Sequence, residues 1–525
     1  MKEASVLLYS AARITFILFL VIHLIYTEFF AFKAAQIMPW KPRLWKTNGN
    51  LPAHSVNTTS AAELEPIGEV SEPALVDYVS ELKQDNKNKY LNISEQIILV
   101  EEDNSTIALQ SLPPTKQQEP NGLQKQNSPL EVLLSRLVPE ERQRKLESTG
   151  LACDSAVHSL VCVVSKPVKI VDKKSSGVSV LYESSISAPD KTIVRPYARQ
   201  EDEDLLKSVT PVEILQQENS SIEQACHYNH DVPAVLFSSS GFTGNLFHEM
   251  NEIIIPLFIT SFQFQSNVQF IITDHKASFV SRYARLLSKL SRYEVINLAA
   301  NRSIVHCFPG AVVGLKFHEF LGFNSSEIPQ GYSMKDFKHF LRETYSLKTP
   351  NVATITKPTL LLISRQHSRT FLNENQLVTM MKESGFQVIV AKPKRMANLV
   401  KFAKLVSSCS VMVGAHGAGL ANEVFLPAGA VMVQVVPLGL DWASNAYFGE
   451  PAYDMGVHYL EYKIEPEESS LINSYKRDHP VIADPTRVLF KDYQAGRALY
   501  IDGQNMKIDL ARFKKTLNEA RKLLR

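Results

Sequence analysis

From Pro233 to the C-terminus, short β-branched and aliphatic runs alternate with longer amphipathic stretches, and this leaves few folds open. Such runs, bounded by turn residues, suit strands buried on both faces, and amphipathic segments between them supply the covering helices. Strands are expected at Pro233–Phe237, Val268–Thr273, Glu294–Asn297, Ala311–Leu315, Pro358–Ile363, Phe386–Val390, Val411–Val413 and Ala430–Val436. Helices are expected at Leu246–Gln263, Val280–Leu290, Ser333–Thr344, Asn373–Ser384, Met396–Ser408, Gly419–Phe425 and Leu510–Leu524. The polar stretch Lys348–Pro358, with Pro350 and Pro358, divides the series. The fold class is α/β: two Rossmann-like halves, 150–350 and 351–525, facing a cleft. Ser159–Val171 adds strand-like runs ahead of the first half, and Glu201–Gln217 reads as a linker or short helix.

The N-terminal third has a different texture. Ile14–Tyr26 is almost wholly apolar, and the run extends towards Phe32, nearly the ~20 residues a membrane span needs. A cleaved signal peptide is the competing reading, but no small-x-small site follows Tyr26. Residues 1–33 are therefore expected to be a cytosolic tail and a single uncleaved transmembrane helix. Residues 34–149 lack a sustained period and are rich in Gln, Asn, Glu, Lys, Ser and Pro, as expected of a mostly disordered stem. One helix is expected in it, near Pro129–Leu146. Sequons at Asn57, Asn92, Asn104, Asn219, Asn301 and Asn324 all follow the anchor, which fits a luminal body. In that compartment Cys153 with Cys162 and Cys226 with Cys307 are plausible disulfides, leaving Cys409 as a buried thiol. A net charge of +2 favours no nucleic-acid partner.

Four motifs carry chemistry. The first is Val411-Met-Val-Gly-Ala-His-Gly-Ala-Gly-Leu-Ala-Asn422, a strand running into a turn with Gly414, Gly417 and Gly419. With Ala415, His416 and Ala418 it forms a seat for a phosphate, where backbone approaches closely and helix N–H groups are free. Tight packing is the alternative use of such a turn. The second is Ile363-Ser-Arg-Gln-His-Ser-Arg-Thr370, which puts Ser364, Arg365 and Arg369 at a strand's end. A guanidinium there binds phosphate oxygens and stabilises the charge that grows on a leaving diphosphate.

The third is Gly241-Phe-Thr-Gly-Asn-Leu-Phe-His-Glu-Met-Asn-Glu252. Asn245, His248, Glu249 and Glu252 share one face of a helix start. His248 is the candidate general base, Glu249 its substitute, and Asn245 a sugar contact or helix cap. The fourth comprises Asp441, Trp442, Glu461 and Tyr462. Asp441 offers another base, Trp442 and Glu461 sugar contacts, and the aromatic rings are equally suited to core packing. The one Asp-x-Asp match, Asp202-Glu-Asp204, sits in an acidic run with no strand leading into it. A metal-independent site is therefore expected, with no cofactor beyond a nucleotide-sugar.

These residues resemble plant members of glycosyltransferase family 61 over roughly 150–525. The resemblance is carried by Gly244–Glu252, Gly314-Leu-Lys-Phe-His318, Tyr332-Ser-Met-Lys-Asp-Phe337, Gly414–Leu420, Phe425-Leu-Pro-Ala-Gly-Ala430 and Val433-Gln-Val-Val-Pro-Leu-Gly439. It implies a type II Golgi membrane protein of the GT-B arrangement with inverting chemistry. The donor would be a UDP-pentose, carrying xylose or arabinofuranose, and the acceptor a xylan-like polysaccharide. N-acetylglucosamine transfer, or a silent glycan-binding subunit of a Golgi complex, is the alternative.

Overall fold

The computed structural model describes residues 128–524 except 174–176, 185–190, 218–224, 301 and 329–330. The expected anchor within 1–33, nearly all of the stem and the sequons Asn57, Asn92, Asn104, Asn219 and Asn301 lie outside the described residues. Among the described residues no helix is long and apolar enough to cross a membrane. The remaining sequon, Asn324, caps the short turn Ser325–Glu327 with its side chain.

The folded body starts earlier than the composition suggests. Helices Pro129–Ser135 and Glu140–Thr149 lie in what reads as stem. Leu134, Leu137, Val138 and Leu146 from this stretch are buried in the main core. A capping box at Ser128 and Glu131 starts the first helix, and Gly150 in the left-handed region ends the second.

The first half contains β1 (Leu151–Ser155), β2 (Leu160–Val164), β3 (Val168–Lys173), β4 (Gly177–Glu183), β5 (Lys191–Val194), β6 (Val212–Gln217), β7 (Tyr228–Asn229), β8 (Ala234–Phe237), β9 (Gln269–Ile272), β10 (His306–Phe308) and β11 (Ala311–Val313). One sheet runs β1-β2-β11-β8-β9, with β8 parallel to both β9 and β11. A second runs β5-β6-β4-β3-β10-β7. Period-2 alternation explains how they meet. Val235, Phe237, Phe270 and Ile272 face helices, while Ala234, Leu236, Ile271, Ala311 and Val313 face Val168, Ile170, Val180 and Ile214 of the second sheet.

In this half a second sheet, rather than helices, covers one face of the sheet that contains β8. The expected strand Glu294–Asn297 shrinks to a bridge between Ile296 and Ile271. Glu201–Gln217 resolves into one helical turn, Glu203–Leu206, followed by β6. Both expected disulfides are present, Cys153–Cys162 across β1 and β2 and Cys226–Cys307, and Cys409 is a buried thiol.

The second half contains β12 (Thr359–Ile363), β13 (Gln387–Ala391), β14 (Val411–Ala415), β15 (Val431–Val436) and β16 (His458–Lys463). All are parallel, in the order β13-β12-β14-β15-β16. Leu361 and Ile363 face one helical layer, and Leu360 and Leu362 face another that includes the C-terminal helix Leu510–Leu523. The winding direction reverses between β12 and β14, and ligands of such sheets bind outside the strand ends at that reversal.

The two halves share one core. Helix Met334–Tyr345 of the first packs against Leu399–Val406 and the turn Ala418–Phe425 of the second. Phe337 and Leu341 belong to the same buried cluster as Phe402, Leu420 and Met432. Lys338, buried in this seam, donates to the Met455 carbonyl, and burial lowers its pKa to about 7. The linker Lys348–Pro358 is stitched down through Val352 N–H to the Ala428 carbonyl.

The Cys226–Cys307 bridge closes a loop with a sequence separation of 81. A Cys226→Ser, Cys307→Ser protein should lose about 4 kcal/mol of stability through freed chain entropy. Urea unfolding reads this directly, and an unchanged midpoint would contradict it.

Candidate active site at the seam of the two halves

The reversal between β12 and β14 sets two loops side by side, Ser364–Thr370 and His416–Gly419. The three glycines serve different ends. A side chain on Gly414 would meet Leu420 at 2.9 Å and Ile363 at 3.1 Å, and one on Gly419 would meet Ile363 at 3.0 Å. These two let the loop lie flat on β12. Gly417 has φ +144°, and a Cβ there would lie 2.5 Å from the Arg365 Nη1 and 3.3 Å from the Arg369 Nη1. It gives backbone reach and room for both guanidiniums. The segment after it is a 3₁₀ helix, Ala418–Phe425, where an ordinary short helix is expected.

The two arginines are held differently. Arg365 donates Nε–H to the Ser368 carbonyl. Arg369 is 9% exposed and donates to the His416 carbonyl at 3.0 Å. Burial, then the Arg365 charge, lowers the Arg369 pKa to about 9. Neither guanidinium forms an ion pair among the described residues. Arg369 has φ +54°, outside the regions most residues adopt. The segment 504–506 holds it there: Arg369 N–H donates to the Gln504 carbonyl, Met506 N–H to the Thr370 carbonyl, and Leu372 N–H to the Met506 carbonyl. Ser364 is 4% exposed, with its N–H on the Ala391 carbonyl.

His416 lies under this pair. Its Nδ1 meets the Gln434 Nε2 at 2.9 Å and the Ser444 Oγ at 3.2 Å. Burial, then Arg369 and Arg365, push its pKa down to about 3, so the ring is neutral at physiological pH.

Across the seam, Asn245 caps the helix start by accepting from the Phe247 N–H. Pro256 cannot donate to the carbonyl four residues back, and before it the helix widens into a π turn over Glu249–Ile254. That turn carries Glu252, whose carboxylate is 1% exposed. It accepts from the Tyr197 hydroxyl at 2.5 Å and Arg199 at 3.1 Å, and it meets the His248 Nδ1 at 2.6 Å. A carboxylate there takes the Nδ1–H and leaves the Nε2 lone pair outward, the state a general base needs. The His248 side chain is 20% exposed.

Glu249 has a different place. It is 1% exposed and bonded to Arg282, Tyr283 and the Gly244 N–H. Its carboxylate anchors the loop and helix, which removes it as a substitute base.

A second π turn, Asn445–Gly449, closes the gap between the halves. Tyr447 packs on Phe247 at 5.1 Å, and its ring centroid is 6.4 Å from that of His416. Trp442 adjoins Tyr447 at 5.6 Å and is 52% exposed, so it sits on the rim. Phe242 stacks near His248 at 4.4 Å beneath the Arg199 guanidinium. Asp441 and Glu461 gather around Lys463, at 3.1 and 3.4 Å. Tyr462 is core, against Phe513. Asp202 caps a helix, and Asp204 pairs with Lys207 in solvent, so the Asp-x-Asp match is a solvated turn.

Glu252, Tyr197, Arg199, Gln434, Ser444 and Tyr447 were not singled out as site residues from sequence. Glu252 had a signal, four residues after His248. Gln434 had another, as the one polar residue within Val431-Met-Val-Gln-Val-Val436.

Residues 234–433 match the family model for Glycosyltransferase 61. The alpha-1,3-arabinosyltransferase XAT3 of Oryza sativa subsp. japonica is 40% identical over 377 residues, 70% of this chain and 64% of that protein. The match thus spans just under two thirds of that relative's length. Xylan glycosyltransferase MUCI21 of Arabidopsis thaliana is 32% identical over 403 residues, 73% of this chain and 81% of that protein. Beta-1,2-xylosyltransferase XYXT1 of Oryza sativa subsp. japonica is 35% identical over 339 residues, 63% of this chain and 72% of that protein.

Two outcomes follow from this geometry. Gly417→Ala must strain the backbone and displace both arginines, and should cost about 1–3 kcal/mol of stability. A thermal midpoint equal to that of the parent would show that the loop relaxes freely. The second concerns pH. Unfolded, His416 protonates below about 6.5; folded, it stays neutral down to about 3. Its contribution is therefore intact above pH 6.5 and is lost as pH falls through that window, at up to about 1.4 kcal/mol per unit. Urea titrations of the parent and of His416→Gln across the window should differ by that slope.

Proposed function

The chain belongs to glycosyltransferase family 61, and from that membership we propose an inverting transfer of a pentose, xylose or arabinofuranose, from a UDP-sugar to a xylan-like polysaccharide. The observation that carries the reading is the facing pair of devices at the seam. One is a two-arginine clamp, with Arg369 buried and Arg365 half-buried, at the reversal of the second sheet, and the other is an imidazole held by a buried carboxylate in the first half.

In this reading the two α/β halves are a GT-B arrangement. The UDP diphosphate lies against 415–419 with Arg365 and Arg369. The acceptor chain crosses the rim beside Phe242 and Trp442. The acceptor hydroxyl oxygen forms a bond to the anomeric carbon as the carbon–oxygen bond to the diphosphate breaks. His248 Nε2 takes the hydroxyl proton, and Glu252 stabilises the imidazolium. The charge released on the diphosphate goes to the guanidiniums, which are charged beforehand and need no reorganisation. That is why a metal-independent reaction is part of the proposal. A Golgi location with a single N-terminal anchor and a luminal body is part of it too, as is membership of a larger Golgi assembly.

The test is a donor screen with UDP-xylose and UDP-arabinofuranose on xylo-oligosaccharides in the presence of a chelator. Transfer of a pentose is expected. Transfer of only a hexose or N-acetylhexosamine, or complete loss of turnover in the chelator, would overturn the corresponding part. His248→Ala should lower kcat by about 10²–10⁴-fold with a small change in donor KM, and Glu252→Gln should lower it less. A His248→Ala enzyme with parental kcat would remove the base assignment.

A further inference from the structure

Resting on the reading above, we propose that Gln434, backed by Ser444, is a positioning residue that locks His416 as a neutral hydrogen-bond donor to the leaving diphosphate. A fully buried glutamine in the middle of an apolar central strand needs partners for both ends of its amide, or it costs stability. Both ends are met. The Tyr459 hydroxyl lies 2.8 Å from Gln434 Oε1, and Gln434 Nε2 lies 2.9 Å from His416 Nδ1. Burial, then Glu461, holds the Tyr459 phenol in its protonated form; its one proton goes to the nearer acceptor, Gln434 Oε1 at 2.8 Å rather than Glu461 at 3.1 Å, and this turns the amide nitrogen towards His416. Ser444, also fully buried, brings its hydroxyl to the same Nδ1 as a second donor.

With donors on Nδ1, the single ring proton sits on Nε2. Two neighbouring guanidiniums oppose a second proton. The result is a ring that donates to phosphate without being charged. His248 has the opposite arrangement, with a carboxylate on its Nδ1 and a free lone pair on Nε2. The two imidazoles are preset as acceptor and donor on the two sides of one displacement.

The test measures UDP affinity by calorimetry from pH 5.5 to 8.5 for the full chain and its variants. Gln434→Glu puts an acceptor where the amide donates. It should draw the proton onto Nδ1 and weaken UDP binding about 10-fold or more at pH 8. The new carboxylate beside Nδ1 favours the charged ring, so in this variant, unlike the parent, His416 takes a second proton as the pH falls, Nε2–H returns, and the ratio of variant to parental affinity should recover. Gln434→Met should weaken binding without that recovery. In a His416→Gln background the pH-dependent part of the Gln434→Glu effect should vanish, which separates it from simple repulsion by the new carboxylate. A Gln434→Glu ratio that is flat with pH, or a recovery that persists without His416, would overturn the lock alone. Failure of the parent to bind UDP at any pH would overturn both the lock and the transferase reading.

Discussion

Two guanidiniums side by side, one buried and one half-buried, repel each other, and the second half is built to make them stay. Arg365 and Arg369 both point at Gly417, and burial disfavours their charge. Left alone, such a pair would swing into water. The loop cannot do so because 504–506 fastens residues 369–372 by backbone hydrogen bonds, and the Gln504 side chain ties that segment to Leu438 and Ser469. The strained dihedral at Arg369 records the same opposition. In the proposed reading a dianionic ligand would relieve it, so part of the cost of holding the clamp would be met during folding and returned on binding.

The other half of the site uses the same economy with opposite charge. Glu252 is buried against Tyr197, Arg199 and His248, and Arg199 is again a non-glycine residue with positive φ, at 94°. Glu252 and Tyr447 both sit on π-widened turns that face the seam. Each widening adds a residue to one turn and re-aims the side chains that follow.

Much of this was legible in the sequence. The strands from Pro233 onward stood out as short, mainly apolar runs, and the placing of loops 364–369 and 414–419 at strand ends followed from that pattern and the glycines. Three things were not legible. The second sheet of the first half reads as scattered strand-like pieces, because its partner face lies far away in sequence. Glu249 and Glu252 are the same residue type three positions apart on one helix. Only the neighbours that the π turn selects separate an anchor from a histidine partner. Gln434 looks like an imperfection in a valine-rich strand until the residues beside it in space are known. The helix expected near Pro129–Leu146 is present as two, and what the polar composition around it hid was that Leu134, Leu137, Val138 and Leu146 join the main core.

The shared core between the halves has a consequence for motion. Where two lobes are joined only by a linker, closure over a ligand is a hinge rotation, and each lobe melts separately. Here Phe337, Phe402, Leu420 and Met432 belong to one apolar body that crosses the linker. Opening the halves would expose that body to water, at roughly 25 cal/mol for each Å² uncovered. The same continuity makes the two sheets one cooperative unit, so neither half is expected to hold its shape when expressed without the other.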